Sequence, residues 1–206
     1  MTGTLPLLLA CSPRRGGNSD TALELARGTI YGPEAQTPPV TMPPVTYLRD
    51  HSVLPCISCG HCERHAGECP LAARDDSAPL FRALETAPEL ILSAPIYFYH
   101  LPAQLKALMD RSQAVWMLRY VFKRPRPPRR RARVMLMGAR QQGEKLFEGS
   151  LLSLKYWLEL FGYDLAPPLA LYGLEGLAAL RDSGEKREAV IRYAEAVRAG
   201  SSPMEP

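Results

Sequence analysis

The clearest indication of the fold is one stretch near the start of the chain, LPLLLACSPRRGGNS, which runs from Leu5 to Ser19. Its first half, Leu5–Cys11, is an apolar run without polar alternation. Such a run is expected for a strand that is covered on both faces of a parallel sheet. A short helix is predicted to follow the stretch, at Thr21–Gly28, so this part of the chain predicts a strand, a loop and a helix in succession.

The loop of this unit, Ser12–Ser19, is rich in glycine and small hydroxyl residues that let backbone N–H groups approach an anion. Asn18 or Ser19 would cap the following helix, whose N-terminus adds positive potential. The loop has neither the GxxxxGK[ST] nor the GxGxxG pattern, so it indicates neither a nucleoside triphosphatase nor a dinucleotide-binding Rossmann site. It predicts a phosphate site, with an ordinary strand-to-helix turn as the alternative.

Strands and helices alternate along the rest of the 206-residue chain. Further strands are predicted at residues 40–48, 90–94, 133–137 and 165–171, and further helices at 77–87, 103–118, 150–161 and 185–199. This alternation predicts an α/β fold, a five-stranded parallel sheet with helices on both faces, in one domain over residues 1–200. Ligands of such sheets bind outside the carboxyl ends of the strands, at the topological switch point. We expect residues 201–206 to form a disordered tail.

Composition and the lengths of the apolar runs argue against a membrane protein. Hydrophobic residues make up 46% of the chain, and the formal net charge is +4. The longest apolar runs are far too short to span a bilayer, which argues against membrane insertion. Because the sequence also shows no signal peptide, we expect a protein of the reducing cytoplasm.

Four cysteines lie within a predicted loop, residues 55–70, between the second strand and the following helix. Cys56, Cys59, Cys62 and Cys69 have the spacing C-x2-C-x2-C-x6-C, and a proline follows at once. Thiolates two residues apart converge on one centre, and a fourth can close the site, so the spacing predicts a [4Fe–4S] cluster. A zinc site usually has two C-x2-C pairs with a longer spacer. Zinc, disulfides and free structural thiols stay open as alternatives.

Two further motifs complete a resemblance to a known family. The loop from Ser12 to Ser19 resembles the FMN-phosphate loop of the NAD(P)H-dependent FMN reductase-like flavoproteins. The run from Ala94 to Phe98, continued by Pro102–Lys106 and Asp110-Arg111, is similar to the flavin-ring loop and following helix of that family. The cysteine run between them resembles the iron–sulfur flavoprotein branch. The match extends from Leu5 to about Arg111.

The resemblance implies a flavodoxin-like fold with FMN at the switch point between the first and third strands. It implies that the FMN phosphate is held by Ser12, Arg14, Asn18 and Ser19, and that the flavin ring lies against Pro95, Ile96, Tyr97 and Phe98. After the fourth strand, relatives have a glycine-rich loop that touches the flavin. Here that loop begins at Gly138 and carries Arg140. Two interpretations of Arg140 stay open: contact with the flavin or a phosphate, and exposure to solvent. Cys11 stands where relatives have glycine.

The function that the resemblance implies is that of an FMN-dependent oxidoreductase that transfers electrons through FMN and a [4Fe–4S] cluster. Its partner would be an electron carrier such as ferredoxin, or a small redox substrate, and use of NAD(P)H stays open. Relatives imply a homodimer or homotetramer. One alternative is a cluster-free NAD(P)H-dependent FMN or quinone reductase on the same fold. Another is a metal-stabilised regulator that binds flavin or a partner without turnover.

One strongly basic stretch stands out before the fourth strand. Residues 123–133 read KRPRPPRRRAR and hold seven cations. Aromatic residues are not interleaved with the cations and no nucleic-acid motif lies beside them, so we do not expect a nucleic-acid partner. A solvated loop, a docking surface for an acidic redox partner and a subunit contact stay open.

Overall fold

The sheet at the centre of the protein is entirely parallel. A computed structural model describes residues 5–32 and 42–199. The strands are β1 (Leu7–Ala10), β2 (Val45–Tyr47), β3 (Glu89–Pro95), β4 (Arg130–Met137), β5 (Tyr163–Leu165) and β6 (Leu169–Leu171). The sheet order is β2-β1-β3-β4, and β5 and β6 both pair with β4. The chain moves from β1 to one neighbour and returns on the other side as β3, so the switch point lies between β1 and β3.

Helices surround this sheet. They are α1 (Asn18–Tyr31), α2 (His61–Arg64), α3 (Ser77–Thr86), α4 (Ala103–Arg111), α5 (Gln113–Trp116), α6 (Glu148–Glu159), α7 (Ala179–Asp182) and α8 (Gly184–Arg198). Short 3-10 turns at Leu48–Asp50 and Pro70–Ala73 and a π-turn at Met117–Val121 complete the order. No helix within residues 5–32 and 42–199 is long and apolar enough to cross a membrane.

The apolar run of β1 is explained by burial on both faces of the sheet. Leu7 and Leu9 belong to a core that includes residues of α3, α4 and α6. Leu8 and Ala10, which alternate with them, belong to a second core with residues of α1 and α8. Successive side chains of a strand point to opposite faces, so a strand between two helical layers needs apolar residues at every position. The predicted flavodoxin-like α/β fold is confirmed.

Three predicted elements differ from the structure for identifiable reasons. The predicted strand 165–171 is two short strands, because Pro167 and Pro168 lack the N–H groups that a sheet ladder needs. The predicted helix 103–118 is interrupted at Ser112, whose hydroxyl donates to the carbonyl of Leu108 and accepts from Trp157 Nε1. A hydroxyl that bonds back to the residue four positions earlier bends a helix. Residues 40 and 41 of the predicted second strand and the predicted tail, 201–206, lie outside the described residues.

The basic stretch is largely built into the framework. Arg130 is half-buried over the ring of Tyr163, and its guanidinium donates to the backbone carbonyls of Leu84, Glu85, Ala87 and Phe161. Arg133 is buried and pairs with Glu89 at 2.7 Å. Arg126 and Arg129 form ion pairs with Glu159 and Asp164. These four arginines therefore connect the start of β4 and the segment before it to their neighbours. The side chains of Lys123, Arg124 and Arg131 are exposed.

Candidate flavin and iron–sulfur sites

A cavity of about 230 Å³ lies at the carboxyl ends of β1, β3 and β4. Most of the residues that the sequence predicted for the flavin line it: Ser12, Arg14, Asn18, Ser19, Pro95, Ile96 and Tyr97. Gly17, within the loop that the sequence predicted, lines it as well. Met137, Ala139 and residues 174–177 also line it, and sequence reasoning did not identify them. The cavity stands at the switch point between β1 and β3, where parallel sheets bind their ligands.

The loop after β1 presents the start of α1 to this cavity. Gly16 has φ +64°, a left-handed conformation that glycine adopts without strain. Ser12 is buried, and its Oγ accepts a hydrogen bond from Arg14 N–H at 3.2 Å. The first N–H groups of a helix lack intrahelical partners, and the helix dipole adds positive potential there, so the loop has the chemistry of an anion site.

A buried ion pair holds the loop after β1, residues 12–19, in shape. Arg49 donates to both carboxylate oxygens of Asp20, at 2.9 and 2.8 Å, and to the carbonyl of Ser12 at 3.1 Å. The carboxylate of Asp20 also accepts from Gly16 N–H at 2.8 Å. The expected cap of α1 by Asn18 or Ser19 is therefore not the one observed: the N-cap residue is Gly17, and α1 begins at Asn18.

The side chain of Asn18 joins the loop after β1 to a distant segment of the chain. Its Nδ2 donates to the carbonyls of Leu174 and Gly176 at 3.1 and 2.8 Å, and its Oδ1 accepts from Leu180 N–H at 2.9 Å. All three bonds go to the backbone between residues 174 and 180, whose first four residues form the other wall of the cavity. Asn18 therefore connects the two walls, and it offers its backbone rather than its amide to a ligand.

The aromatic segment after β3 forms a tight turn beside the cavity. Tyr97 and His100 exchange backbone hydrogen bonds at 2.8 and 3.0 Å, and Phe98 and Tyr99 between them have φ +49° and +64°. Left-handed conformations cost bulky residues free energy and cluster at functional sites. The turn aims Tyr97 at the cavity, whereas the side chain of Phe98 is fully exposed and is not part of the lining.

The loop after β4 reaches the cavity through Ala139 rather than through the residues on either side of it. Gly138 donates to the carbonyl of Leu171 and accepts from Leu174 N–H, at 2.8 and 2.9 Å. Arg140 is exposed, and its Nη1 lies 3.4 Å from the hydroxyl of Tyr99. Gly138 and Arg140 thus support the 171–174 segment and the aromatic turn, and neither lines the cavity.

A second cavity, of about 300 Å³, is lined by all four clustered cysteines: Cys56, Cys59, Cys62 and Cys69. Leu71, Arg111, Ala114 and Met117 contribute to its walls. The thiols are free. The chain turns sharply between them, with left-handed conformations at Ser58 and Gly60. The spacing seen in the sequence thus brings the thiols to one cavity that opens to solvent on the side of the exposed Cys56 and Cys59.

The electrostatics of this cavity reflect the proximity of the thiols. Burial raises the pKa of the Cys62 thiol, and the charges that Cys69, Cys56 and Cys59 would carry raise it further, while a backbone hydrogen bond lowers it. Four thiolates in one cavity therefore repel one another unless a cation or a metal centre compensates their charge. Cys11 is a separate case: it is buried in the core, burial raises the pKa of its thiol, and its Sγ donates to the carbonyl of Leu9.

The arrangement of the thiols bears on which metal centre fits. Among the residues that the structure describes, no group of three or more His, Cys, Asp or Glu side chains is gathered closely enough to hold a metal ion. Zinc binds sulfur at about 2.3 Å, so four thiolates on one zinc lie within about 4 Å of one another. A cubane binds each thiolate at a different iron, so its ligands stand further apart. Four free thiols around one cavity are a donor set whose chemistry fits an iron–sulfur cluster.

Comparisons with known proteins agree with this geometry. Residues 6–158 match the family described as NADPH-dependent FMN reductase. An iron–sulfur flavoprotein of Methanosarcina thermophila is 30% identical over 155 residues, which cover 73% of this chain and 71% of that protein. An iron–sulfur flavoprotein of Methanocaldococcus jannaschii is 34% identical over 102 residues, 50% of this chain and 48% of that protein, so the chain spans about half the length of this relative.

Solved structures share the fold at low sequence identity. An NAD(P)H:quinone oxidoreductase from Methanothermobacter marburgensis superposes with a TM-score of 0.62 at 20% identity, covering 94% of this chain and 96% of that one. The azoreductase AzrA superposes with a TM-score of 0.64 at 12% identity, covering 96% and 100%. At this identity the likeness establishes the flavodoxin-like architecture and nothing more specific.

Fold and sequence match together define the class, a protein with a flavodoxin-like parallel sheet. The chain belongs to the NADPH-dependent FMN reductase family, and within it to the iron–sulfur flavoprotein branch.

Proposed function

We propose that this protein is an electron-transfer flavoprotein that binds FMN in the cavity at the switch point and a [4Fe–4S] cluster in the cysteine cavity. The observation that carries the proposal is the presence of both cavities in one chain. One is lined by a phosphate-type loop and an aromatic turn, and the other is lined by four free thiols. FMN exchanges one or two electrons and a cluster exchanges one, so such a chain is suited to linking one-electron and two-electron chemistry.

For FMN, the residues that would hold the phosphate are the buried Ser12 and Ser19, the exposed Arg14 and the backbone at Asn18. Arg181 adds a second cation beside the loop, where its Nη2 lies 3.3 Å from the carbonyl of Gly16. Pro95, Ile96 and Tyr97 would support the flavin ring. Phe98, Gly138 and Arg140, which the family resemblance implied, would act on the flavin only from outside the lining.

For the cluster, Cys56, Cys59, Cys62 and Cys69 would supply the thiolates. The exposure of Cys56 and Cys59 would let a donor approach one side of the centre. We propose an acidic one-electron carrier of the ferredoxin type as the partner, because the exposed Lys123, Arg124 and Arg131 present positive charge. A homodimer or homotetramer in the cytoplasm is part of the proposal, since assembly would let a cluster of one subunit approach the flavin of another.

One competing function uses the same flavin site without a cluster. A cluster-free NAD(P)H-dependent FMN or quinone reductase is favoured by the family description and by the exposure of Cys56 and Cys59, because exposed thiols in a reducing compartment are stable without metal. In that protein the cysteines would be unoccupied. A regulator with a metal-stabilised loop and no turnover is the third candidate.

Anaerobic purification followed by metal analysis and an absorption spectrum separates the three candidates. The electron-transfer flavoprotein should contain FMN with about four iron and four sulfide per chain and a broad thiolate-to-iron shoulder. The matched comparison is Cys62→Ser against Cys11→Ser, since Cys62 lines the cavity and Cys11 lies in the core. A bare flavin spectrum with rapid NADPH oxidation would establish the reductase instead, and zinc without turnover would establish the regulator.

A further inference from the structure

Arg111 is a fully buried arginine that lines the cysteine cavity from the end of α4. Its relative exposure is 1%, and its ion pair with Asp75 has no exposed side-chain surface on either partner. An arginine is almost never fully buried unless it is paired. The ion pair and the hydrogen bonds around it therefore show what holds Arg111 in this position. None of the fold-defining patterns in the sequence requires a charged residue at this position.

The hydrogen bonds of Arg111 converge on the two ends of the cysteine loop. Its Nη1 donates to the carbonyl of Leu54, two residues before Cys56, at 3.1 Å, and to Asp75 Oδ2 at 2.5 Å. Asp75 Oδ2 in turn accepts from Leu54 N–H at 2.9 Å. Both backbone groups of Leu54 are thus held by this one ion pair, so the loop is closed at its base.

Ser77 makes hydrogen bonds to both partners of the ion pair. Arg111 Nη2 donates to the hydroxyl of Ser77 at 2.9 Å, and Asp75 Oδ1 accepts from both the hydroxyl and the N–H of Ser77, at 2.6 and 3.0 Å. Ser77 begins α3, so the end of the loop is fixed to a helix while Arg111 fixes its start to α4. The cysteine loop therefore emerges from a buried clamp of Arg111, Asp75 and Ser77, the clamp residues.

One nitrogen of Arg111 is left over. Its Nε is buried and has no hydrogen-bond partner among residues 5–32 and 42–199. A buried donor without a partner costs free energy. Arg49, Arg130 and Arg133 each have such a nitrogen as well, and the side chain of Arg111 has no exposed surface, so this N–H group does not indicate a ligand in the cavity. The position of Arg111 is explained by the bonds of its two Nη atoms.

We propose that Arg111 is the positioning residue of the cysteine cavity: it clamps the two ends of the loop so that the four thiols face one centre. The inference rests on the proposed cluster only where iron is measured. Closure of the loop by the clamp residues concerns the protein itself and has a readout that needs no iron.

The test compares Arg111→Gln with Arg133→Gln, a matched control. Arg133 is also buried, pairs with Glu89 and has a buried nitrogen without a partner in the described part of the chain, but it does not line the cysteine cavity. Amide hydrogen exchange of residues 54–77 should rise about tenfold in Arg111→Gln and stay at the wild-type rate in Arg133→Gln. In anaerobically prepared protein, iron release to a chelator should be about tenfold or more faster in Arg111→Gln alone.

Ser77→Ala provides a milder variant in case Arg111→Gln does not fold. It removes one bond to Arg111 and one to Asp75, and it should raise exchange of residues 54–77 in the same direction by a smaller factor, with FMN content unchanged. Equal effects in Arg111→Gln and Arg133→Gln, or no effect in Arg111→Gln and Ser77→Ala, would overturn the inference. A wild-type protein without iron would refute the proposed cluster, while the exchange comparison would still decide whether the clamp holds the loop.

Discussion

Replacing Asn18 by alanine separates two roles that the same residue could have at the flavin cavity. In the structure its amide makes three hydrogen bonds to the backbone of residues 174–180. We therefore expect Asn18→Ala to release one wall of the cavity. If the amide instead contacts the phosphate, as the resemblance to the family implies, the variant should lose only the phosphate contribution to binding.

The size of the effect follows from the bonds that are lost. A typical intramolecular hydrogen bond contributes about 0.5–1.5 kcal/mol net, so three contribute about 1.5–4.5 kcal/mol. Asn18 is half-buried and its bond to Gly176 lies at the surface, which favours the lower part of that range. If binding must restore an ordered wall, about 2 kcal/mol corresponds to a loss of affinity of about thirtyfold.

The assay is a titration of apoprotein with FMN and, separately, with riboflavin, which has the same ring and no phosphate. Asn18→Ala should weaken both ligands by similar factors. Arg14→Ala should weaken FMN by about tenfold through loss of a charge-assisted hydrogen bond and leave riboflavin unchanged. Lys186→Met is the control, because Lys186 makes a single 3.3 Å bond to the carbonyl of Gly173 at the edge of the same segment. An Asn18→Ala protein that binds riboflavin normally and loses only FMN would refute the reasoning.

Three further predictions follow from the cysteine cavity, the basic stretch and the clamp. Serine at any of the four cavity cysteines should lower iron and acid-labile sulfide, because clusters require soft sulfur ligands, whereas Cys11→Ser should retain both; equal retention in all variants would contradict the ligand assignment. Replacing Lys123, Arg124 and Arg131 together by glutamine should slow electron exchange with an acidic carrier, and the difference from the wild type should vanish in high salt. A rate that changes with neither the substitutions nor the salt would mean that the stretch has only a structural role. Burial works against ionisation of Asp75, but hydrogen bonds from neighbours that include Arg111 outweigh it and hold the pKa of this carboxyl below its ordinary value. Its contribution to stability is therefore complete above about pH 4 and is lost as the pH falls through the depressed value, so urea unfolding between pH 5 and pH 3 should show a smaller decline in Asp75→Asn than in the wild type.

The parts of the fold that could be predicted are those encoded locally. The apolar run of β1 has one explanation, which is burial on both faces of the sheet. The glycine-rich loop after it is typical of a turn between a strand and a helix. The alternation of strands and helices then determined the sheet. The split of the last predicted strand was also encoded locally, in Pro167 and Pro168, but a run of apolar residues on both sides concealed it.

The parts of the site that could not be predicted depend on contacts between distant residues. The partners of Asn18 lie more than 150 positions later in the chain, and no local pattern connects them. The motif that contains Asp110 and Arg111 pointed to a helix beside the flavin, yet Arg111 is directed to the cysteine loop, because its partners Leu54 and Asp75 are brought to it by folding. The cysteine spacing, in contrast, correctly predicted that the four thiols lie at one cavity, because the cysteine loop is short.

The central proposal, that FMN and a cluster work together in this chain, is tested most directly by anaerobic stopped-flow reduction of the flavin with a reduced ferredoxin. The wild-type flavin should be reduced at a rate that falls by about tenfold or more in Cys62→Ser, since removing a ligand that tunes or holds a cluster removes the one-electron entry point. FMN content should be equal in the two proteins. Equal rates of flavin reduction by ferredoxin in both proteins, with rapid reduction of both by NADPH, would contradict the proposal and establish the cluster-free reductase.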